Sequence, residues 1–446
     1  MSDAAHILAL TQASEAQALA ANPNRSAFAT ANAGSGKTKV LIDRVARLLL
    51  RRPDGRPGAD PDSILCITYT RAAASEMLTR LFDTLGNWAV MEDAPLREQL
   101  AKLEGREALS YKEDQLKAAR ALFARALETP GGLRIETIHA FCARVLRRFP
   151  LEAGVPPGFV ELEEEDAREI WQQARNDAIL NAAEAEPEAL ALISREAGRD
   201  GATSALDSLR SSASQLRAFA AAHDDDFDKI RDSLKRLISP PDLPADALVE
   251  RAMTADLPRA KIKSVIGALA AGKPTDQKLA DALANVLAET DARSALQLYQ
   301  SVFFTATGQP RAKNPFTKGA ADGAPLVTEL FAIVDRPGVE TVRIQALCDA
   351  LKRADAFART EALLKIGLPA LAAYEEGKTR RGALDFDDLI ERTRDLLASE
   401  GLSNWVLYKL DGGLSHVLLD EAQDTSPAQW ELIGALTQEF TAGEGR

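Results

Sequence analysis

Cysteine is scarce in this chain of 446 residues, and the three that occur are scattered. Cys66, Cys142 and Cys348 form no CxxC pair and lie in apolar segments, which indicates reduced, buried thiols of a cytosolic protein. Long apolar runs are also missing, since none approaches the roughly 18 residues of a membrane span. The N-terminus lacks the basic start and apolar core of a secretory signal. We therefore expect a cytoplasmic protein with no membrane association.

Positive charge is in deficit, with 54 Lys and Arg against 66 Asp and Glu and a formal net charge of -12. This balance argues against a general nucleic-acid coat, because non-specific binding to phosphates depends on Lys and Arg. Any DNA site must therefore be local. The hydrophobic fraction of 46% and the charged fraction of 27% are those of a globular protein, and the length predicts more than one structural unit.

Short β-rich runs indicate an α/β fold. Near-continuous apolar strands of this kind are typical of a parallel sheet that is buried on both faces. The segment 39–52 follows the first run and repeats its apolar residues at helical spacing, which predicts a βαβ unit. The four runs are Ser26–Thr30, Ile64–Thr70, Leu133–Phe141 and His416–Asp420.

Two long stretches with helical periodicity separate these runs. The larger, 166–369, is rich in Ala and Leu, and the smaller covers about 86–130. Neither contains a recognisable motif. The sequence therefore predicts an α/β domain made of 1–85, 131–165 and 370–446, interrupted by two helical insertions.

A phosphate-binding loop is predicted between the first β-rich run and the helix that follows it. Backbone N–H groups of such a loop and of the helix N-terminus form a nest for phosphate oxygens. Lys37 would add a positive charge to the β- and γ-phosphates, and the Thr38 hydroxyl would bind Mg²⁺. The alternative is a Gly/Ser helix-entry loop with an incidental lysine. The loop comprises Ala33, Gly34, Ser35, Gly36, Lys37 and Thr38, and Ala31 stands where the full pattern has glycine.

Two adjacent carboxylates follow the last β-rich run. Asp420 would hold Mg²⁺, and Glu421 would deprotonate the attacking water, because a carboxylate neutralised by the metal cannot also act as the base. The carboxyl ends of strands are where open α/β sheets place their ligands. The alternative for such a pair is a solvated strand end.

Five ordered motifs resemble those of the UvrD/Rep group of superfamily 1 DNA helicases. The resemblance implies a RecA-like P-loop NTPase domain, interrupted by a large helical insertion domain, that binds ATP and Mg²⁺. It also implies movement on single-stranded DNA driven by ATP hydrolysis. The motifs are AGSGKT at 33–38, TYTRAAASEM at 68–77, TIHAF at 137–141, DFDDL at 385–389 and DEAQDTS at 420–426.

The resemblance also assigns roles to single residues. Gln17, three residues after Ser14, resembles the glutamine that reads adenine, with Gln12 as a rival, and Gln423 would sense the γ-phosphate. Four residues would contact single-stranded DNA, although Thr and Tyr are common at strand ends and a lone His is often a core hydrogen-bonder. They are Thr68, Tyr69, Thr70 and His139. Asp387 and Asp388 are either helix caps or functional carboxylates.

The segments SAFATANAGSGKT at 26–38 and YKLDGGLSHVLLDEAQDTSPAQW at 408–430 resemble, within this group, the AddA helicase-nuclease subunits of bacterial double-strand break repair. This resemblance implies 3′ to 5′ translocation, DNA ends as substrate and an AddB-like partner. The second motor domain and the nuclease domain of that family have no counterpart in these 446 residues, so we expect a truncated helicase, inactive or weak as it stands. The alternatives are a stand-alone ATP- or DNA-binding module and a P-loop ATPase of another class, for which no signature such as LSGGQ is present.

Overall fold

A computed structural model describes most of the chain. The described residues are 16–30, 36–52, 54–196, 201–309, 311, 315–331, 339–399, 401, 405–406, 409 and 414–441. Two compact units are distinguished: 1–168 together with 378–446, and 169–377. We refer to them as the first and the second unit.

A three-stranded parallel sheet organises the first unit. Strand β1 (Ile64–Thr68) lies between β2 (Arg134–Thr137) and β5 (His416–Leu419). Thr68 is in register with Thr137 on one side, and Ile67 is in register with Leu419 on the other. The chain is therefore a helix-rich α/β protein with a small parallel sheet, as the apolar runs predicted.

Both faces of the sheet are buried, because all five residues of β1 are covered. Side chains of a strand alternate between the two faces, and β1 divides its apolar residues accordingly. Leu65 and Ile67 belong to one core cluster, and Ile64 and Cys66 belong to another. The prediction of an apolar strand buried on both faces is confirmed for β1, whereas β2 and β5 are mostly half-buried.

Helices cover the sheet of the first unit, which also contains a pair of two-residue strands. The first core cluster includes residues of α5, α18 and α19, and the second includes residues of α1 to α4. Their bounds are α1 Lys37–Leu49, α2 Arg71–Val90, α3 Asp93–Glu104, α4 Glu113–Glu128, α5 Ile138–Arg148, α6 Glu164–Ala185, α17 Val339–Arg380, α18 Phe386–Ala398 and α19 Pro427–Thr441, with β3 Val160–Glu161 pairing in parallel with β4 Ala383–Leu384. Most of α6 and of α17 belongs to the second unit, since the first unit contains only 164–168 of α6 and 378–380 of α17.

One predicted strand is wrong, and the three that form are shorter than expected, since β1 ends at Thr68 and β5 at Leu419. Ser26–Thr30 has no strand pairing and is exposed throughout. Its single large apolar side chain, Phe28, is 80% exposed, so pairing this run would bury little apolar surface. The run Leu133–Phe141 is a strand only to Thr137, because the Thr137 hydroxyl accepts a hydrogen bond from Ala140 N–H and starts α5 there.

The second unit is helical over its described residues, apart from loops and turns. Its largest core cluster is built from α11 to α14, α16 and the start of α17, and Tyr299, Phe303 and Phe331 are fully buried in it. The remaining helices are α7 Pro187–Glu196, α8 Gly201–Arg210, α9 Ala213–Ala221, α10 Phe227–Ile238, α11 Ala245–Met253, α12 Arg259–Ala270, α13 Pro274–Ala288, α14 Ala292–Phe303, α15 Lys318–Gly323 and α16 Pro325–Phe331.

The cysteines are free thiols, with Cys66 and Cys142 buried. Cys348 is only partly buried, contrary to the expectation for all three, because it lies on α17 at the margin of the second unit's core. In the part of the chain that the structure describes, no helix is both long and apolar enough to cross a membrane.

Candidate nucleotide site at the carboxyl edge of the sheet

The three strands of the sheet end at one edge, and each is followed by residues that the sequence singled out. Parallel pairing places the carboxyl ends of β2, β1 and β5 side by side. Thr137, Thr68 and Asp420 therefore lie along this edge in that order. Asp420 is joined to β1 through its N–H group, which donates to Ile67 O at 2.9 Å.

Asp420 is a buried carboxylate, 7% exposed, at the end of β5. Its Oδ1 accepts a hydrogen bond from Glu421 N–H at 3.0 Å. Burial raises the pKa of Asp420, and the neighbouring Glu421 raises it further, whereas Glu421 N–H and Lys37 oppose the shift. Burial, with the charge of Asp420, also raises the pKa of Cys66 on β1 to about 12.

Glu421 adopts a left-handed backbone conformation, with φ at 49°. This conformation is strained for a residue with a Cβ, and such strained positions cluster at functional sites. The turn is fixed because Asp424 N–H donates to Glu421 O at 2.9 Å. In this conformation the Glu421 carboxylate contacts Lys37, at the start of α1, and Gln423.

Lys37 is the first residue of α1, and its ammonium lies 3.6 Å from Glu421 Oε2. The two side chains are 25% and 39% exposed, so solvent reaches the pair. Gly36 caps the helix with φ at 92°, a conformation that glycine adopts without strain. Ala33, Gly34 and Ser35 lie outside the described residues, as does Ala31.

Gln423 also contacts the Glu421 carboxylate, through a hydrogen bond from Nε2 to Oε2. Lys37 and Gln423 thus approach the same oxygen of Glu421. This geometry brings a residue of the predicted phosphate loop together with two residues of the carboxylate motif. Thr38 is partly exposed in the first turn of α1.

Gln17 lies against the start of α1. A Cβ placed on Gly36 would meet Gln17 Nε2 at 3.2 Å, so the amide group is next to the cap residue of that helix. Residues 16–20 are helical, and Ala21 N–H donates to Gln17 O at 2.9 Å. Gln12 and Ser14 lie outside the described residues.

Thr68, the last residue of β1, and the two residues that follow it differ in environment. Thr68 is buried, and its hydroxyl donates to Thr70 O at 3.1 Å. The Thr70 hydroxyl accepts a hydrogen bond from Ala73 N–H and caps α2. Tyr69, by contrast, is 49% exposed. Of the three, only the tyrosine ring projects enough surface for stacking on a base.

His139, in the first turn of α5, packs on Phe386, with 4.7 Å between the ring centroids. Burial lowers the pKa of His139, and Glu161 opposes that shift. The imidazole is therefore favoured in its neutral form at pH 7, when either ring nitrogen can accept a hydrogen bond and the other can donate one.

The carboxylates of the DFDDL segment divide into buried and exposed groups. Asp385 is the N-cap of α18 and forms a capping box with Asp388. Both are buried around the ammonium of Lys378, at 2.9 and 2.5 Å. Asp388 is thus a helix-capping residue, one of the two roles that the sequence left open, whereas Asp387 is exposed.

Several residues near the site were not identified from the sequence. Lys378 pairs with Asp385 of the DFDDL segment, and Phe386 of the same segment packs on His139. Arg44 and Arg47 donate hydrogen bonds to main-chain carbonyls of the segment that contains Gln17. The two arginines had no signal in the sequence, because they lie on the polar side of the amphipathic helix α1, where charged residues are ordinary. Lys378 had none either, since a lysine near a helix end is ordinarily exposed.

A parallel sheet covered by helices, with a lysine at a helix N-terminus facing two carboxylates at a strand end, has the arrangement of a nucleotide-binding α/β domain. The family model described as UvrD/REP helicase N-terminal domain matches residues 11–442. The chain belongs to this family.

Related proteins are named as the A subunit of ATP-dependent helicase/nuclease. The chain is 25% identical to that of Exiguobacterium sibiricum over 420 residues, which is 91% of this chain and 32% of the relative. It is 31% identical to that of Levilactobacillus brevis over 157 residues, 34% of this chain and 10% of the relative. The protein of Enterococcus faecalis is 30% identical over 179 residues, 39% of this chain and 12% of the relative. The matched part thus spans a third or less of each relative.

Proposed function

We propose that this chain forms a RecA-like motor domain that binds ATP and Mg²⁺ at the carboxyl edge of its sheet. The observation that carries the proposal is the approach of Lys37 to Glu421, at 3.6 Å, from two motifs near opposite ends of the sequence. The parallel order of β2, β1 and β5 supports it. The residues 166–369 would then be a helical insertion into this domain.

Different residues of the site would contact the phosphates, the attacking water and the adenine. Gly34 to Gly36 would present backbone N–H groups to the phosphates, and Lys37 would exchange Glu421 for the γ-phosphate. Glu421 would then be released to accept a proton from the attacking water, and Gln423, which donates to the same carboxylate, would sense the γ-phosphate. Gln17 would hydrogen-bond the adenine.

Thr38 and Asp420 fit a magnesium ion. Asp420 is buried and its pKa is raised, so a cation beside it would offset the cost of its ionised form. Mg²⁺ in nucleotide sites is held by one or two protein oxygens together with phosphates and water. The ion, when bound, supplies positive charge that stabilises the transferring phosphoryl group.

The same sheet edge would carry the DNA contacts of a helicase. Tyr69 would stack on a base, and Thr70 and His139 would contact the DNA strand beside it. Thr68 is not placed for the contact that the sequence predicted, because it is buried and its hydroxyl donates to Thr70 O. From the names of the relatives and the resemblance, we propose action on DNA ends in break repair, 3′ to 5′ translocation, an AddB-like partner and a cytoplasmic location. The full activity would require the remainder of the helicase motor.

Glu421→Gln is expected to separate nucleotide binding from hydrolysis. The amide keeps the shape of the side chain but cannot take the proton, so turnover in a completed motor should fall about 100-fold or more. The affinity for ATP should be equal or higher, because Lys37 loses its competing carboxylate. Binding is measured with a fluorescent ATP analogue and turnover by phosphate release. Glu431→Gln, at an exposed carboxylate on α19, is the matched control. Normal turnover in Glu421→Gln would refute the assignment of the base.

Tyr69→Ala is expected to weaken binding of single-stranded DNA by about tenfold, because stacking on an aromatic ring contributes about 1–3 kcal/mol per base. Tyr69→Phe keeps the ring and should bind like the wild type. Fluorescence anisotropy with a labelled oligothymidine measures both. Equal losses in the two variants, or none in either, would show that the ring does not stack on a base.

A further inference from the structure

Arg44 ties residues 16–25 to helix α1. Its Nη1 donates hydrogen bonds to Ala20 O at 3.0 Å and to Asn22 O at 2.8 Å, and its Nη2 donates to Arg25 O. One planar guanidinium thus donates hydrogen bonds to three main-chain carbonyls. The ammonium of a lysine could not span them in the same geometry.

Arg47, one turn further along α1, adds a fourth connection. Its Nη1 donates to Ala18 O at 2.8 Å. Within the described part of the chain, its buried Nε has no hydrogen-bond partner, which costs free energy. Burial lowers the pKa of both arginines, and the two cations are close enough to lower that of Arg44 further. Two apolar side chains would pack at these positions without such costs.

Gln17 belongs to the segment that these arginines hold. It directly precedes Ala18, whose carbonyl Arg47 binds, and its amide lies next to Gly36. Helix α1 begins at Lys37, the residue next to Gly36, and carries the arginines two to three turns further along. A single rigid helix therefore fixes the proposed adenine-reading amide relative to the proposed phosphate-binding lysine.

We propose that Arg44 and Arg47 are positioning residues for base selection, which hold Gln17 at the distance from Lys37 that an adenine nucleotide requires. This inference rests on the proposed function of Gln17 and Lys37. It deepens that function, because selectivity for adenine would depend on two arginines that do not touch the nucleotide. Their loss would affect the choice of base and spare the binding of phosphates.

The test compares base selection with phosphate binding in the full 446-residue chain. The probes are fluorescent ATP and GTP analogues and, as a base-free competitor, inorganic tripolyphosphate, all with Mg²⁺. The variants are Gln17→Ala, Arg44→Met, Arg47→Met and the milder Arg44→Lys, each with its melting temperature. Arg51→Gln is the matched control, since Arg51 also donates to a main-chain carbonyl, that of Gly55, in another loop.

In the wild type, ATP should bind about tenfold more tightly than GTP, the ratio expected of one or two hydrogen bonds to the base. Gln17→Ala should bring this ratio close to one. Arg44→Met and Arg47→Met should each bring it most of the way there, with Arg44→Lys in between. All four should bind tripolyphosphate as the wild type does, and Arg51→Gln should keep the wild-type ratio.

The inference is overturned if the arginine variants keep the wild-type ratio, or if they lose tripolyphosphate and ATP affinity in equal proportion, which is the signature of a merely structural role. It is also overturned if Gln17→Ala retains the preference for ATP, although phosphate binding could then still stand. The proposed function itself fails on a different result, namely tripolyphosphate binding that is absent in the wild type or unchanged by Lys37→Ala.

Discussion

Lys378→Met should lower the free energy of unfolding of the first unit by about 3–5 kcal/mol, because it leaves two buried carboxylates without their cation. The side chains of Lys378 and Asp388 are 3% and 5% exposed, and the ammonium lies 2.9 Å from Asp385 Oδ2 and 2.5 Å from Asp388 Oδ2. The two aspartates also cap α18 through each other's N–H groups. Removal of the lysine therefore leaves two buried charges uncompensated and weakens the N-terminal cap of α18.

Chemical denaturation of the whole chain, followed by circular dichroism, measures this effect. The control is Lys117→Met, which breaks a solvent-exposed pair with Glu113 and should leave stability nearly unchanged. Adding Asp388→Asn to Lys378→Met should recover part of the loss, since one uncompensated charge is removed. A loss below about 1 kcal/mol for Lys378→Met would mean that solvent or other groups neutralise the carboxylates.

Lys37→Ala should weaken ATP binding by about 100-fold or more, because a charge-assisted contact to the phosphates contributes several kcal/mol in a partly buried site. The lysine stands at the N-terminus of α1, where the helix dipole already favours an anion, and its present partner is the Glu421 carboxylate. Phosphate would replace that carboxylate. Stability should change little, since the pair is exposed to solvent.

Titration calorimetry with Mg²⁺ and a non-hydrolysable ATP analogue measures this change. Lys39→Ala is the matched control, because Lys39 lies two residues further along the same helix and pairs with Asp43 at the surface. It should bind within about threefold of the wild type, as expected for an exposed charge. Equal affinities in the wild type and Lys37→Ala would remove Lys37 from the nucleotide site.

The sequence predicted those parts of the fold that depend on local pattern. The run at β1 is apolar enough to be recognised as a buried strand, and the apolar spacing after Lys37 identified α1. The strand β2, with Arg134 and Glu136 among its four residues, is mostly half-buried and was less evident from composition. The strand expected at Ser26–Thr30 did not form in the described structure. A run with one large side chain has too little apolar surface to decide its own conformation.

The candidate site was predictable where its chemistry lies in short motifs. Asp420 and Glu421 were identified from their order and type, and their place at the strand end follows from the strand itself. A common site for Lys37 and Glu421 was implied by their predicted roles, but the left-handed backbone of Glu421 and its direct pairing with Lys37 depend on contacts between distant parts of the chain and were not foreseeable. The roles of the site residues and the division into domains stay predictions.

Two cations with partly or fully buried side chains were missed for a related reason. Arg44 and Lys378 look like ordinary surface cations in the sequence, yet one binds three main-chain carbonyls and the other two buried carboxylates. Local pattern gives no sign of the partners of a long polar side chain. Only the tertiary arrangement shows that these residues are partly or fully buried.

The most direct measurement of the central claim is a crystal structure of this chain with Mg²⁺ and a non-hydrolysable ATP analogue. The account predicts the triphosphate at the N-terminus of α1, with Lys37 moved from Glu421 to the phosphates and the metal on the Thr38 hydroxyl near Asp420. The adenine should lie within hydrogen-bond distance of Gln17. A nucleotide bound elsewhere, with Lys37 still paired to Glu421, would contradict the account.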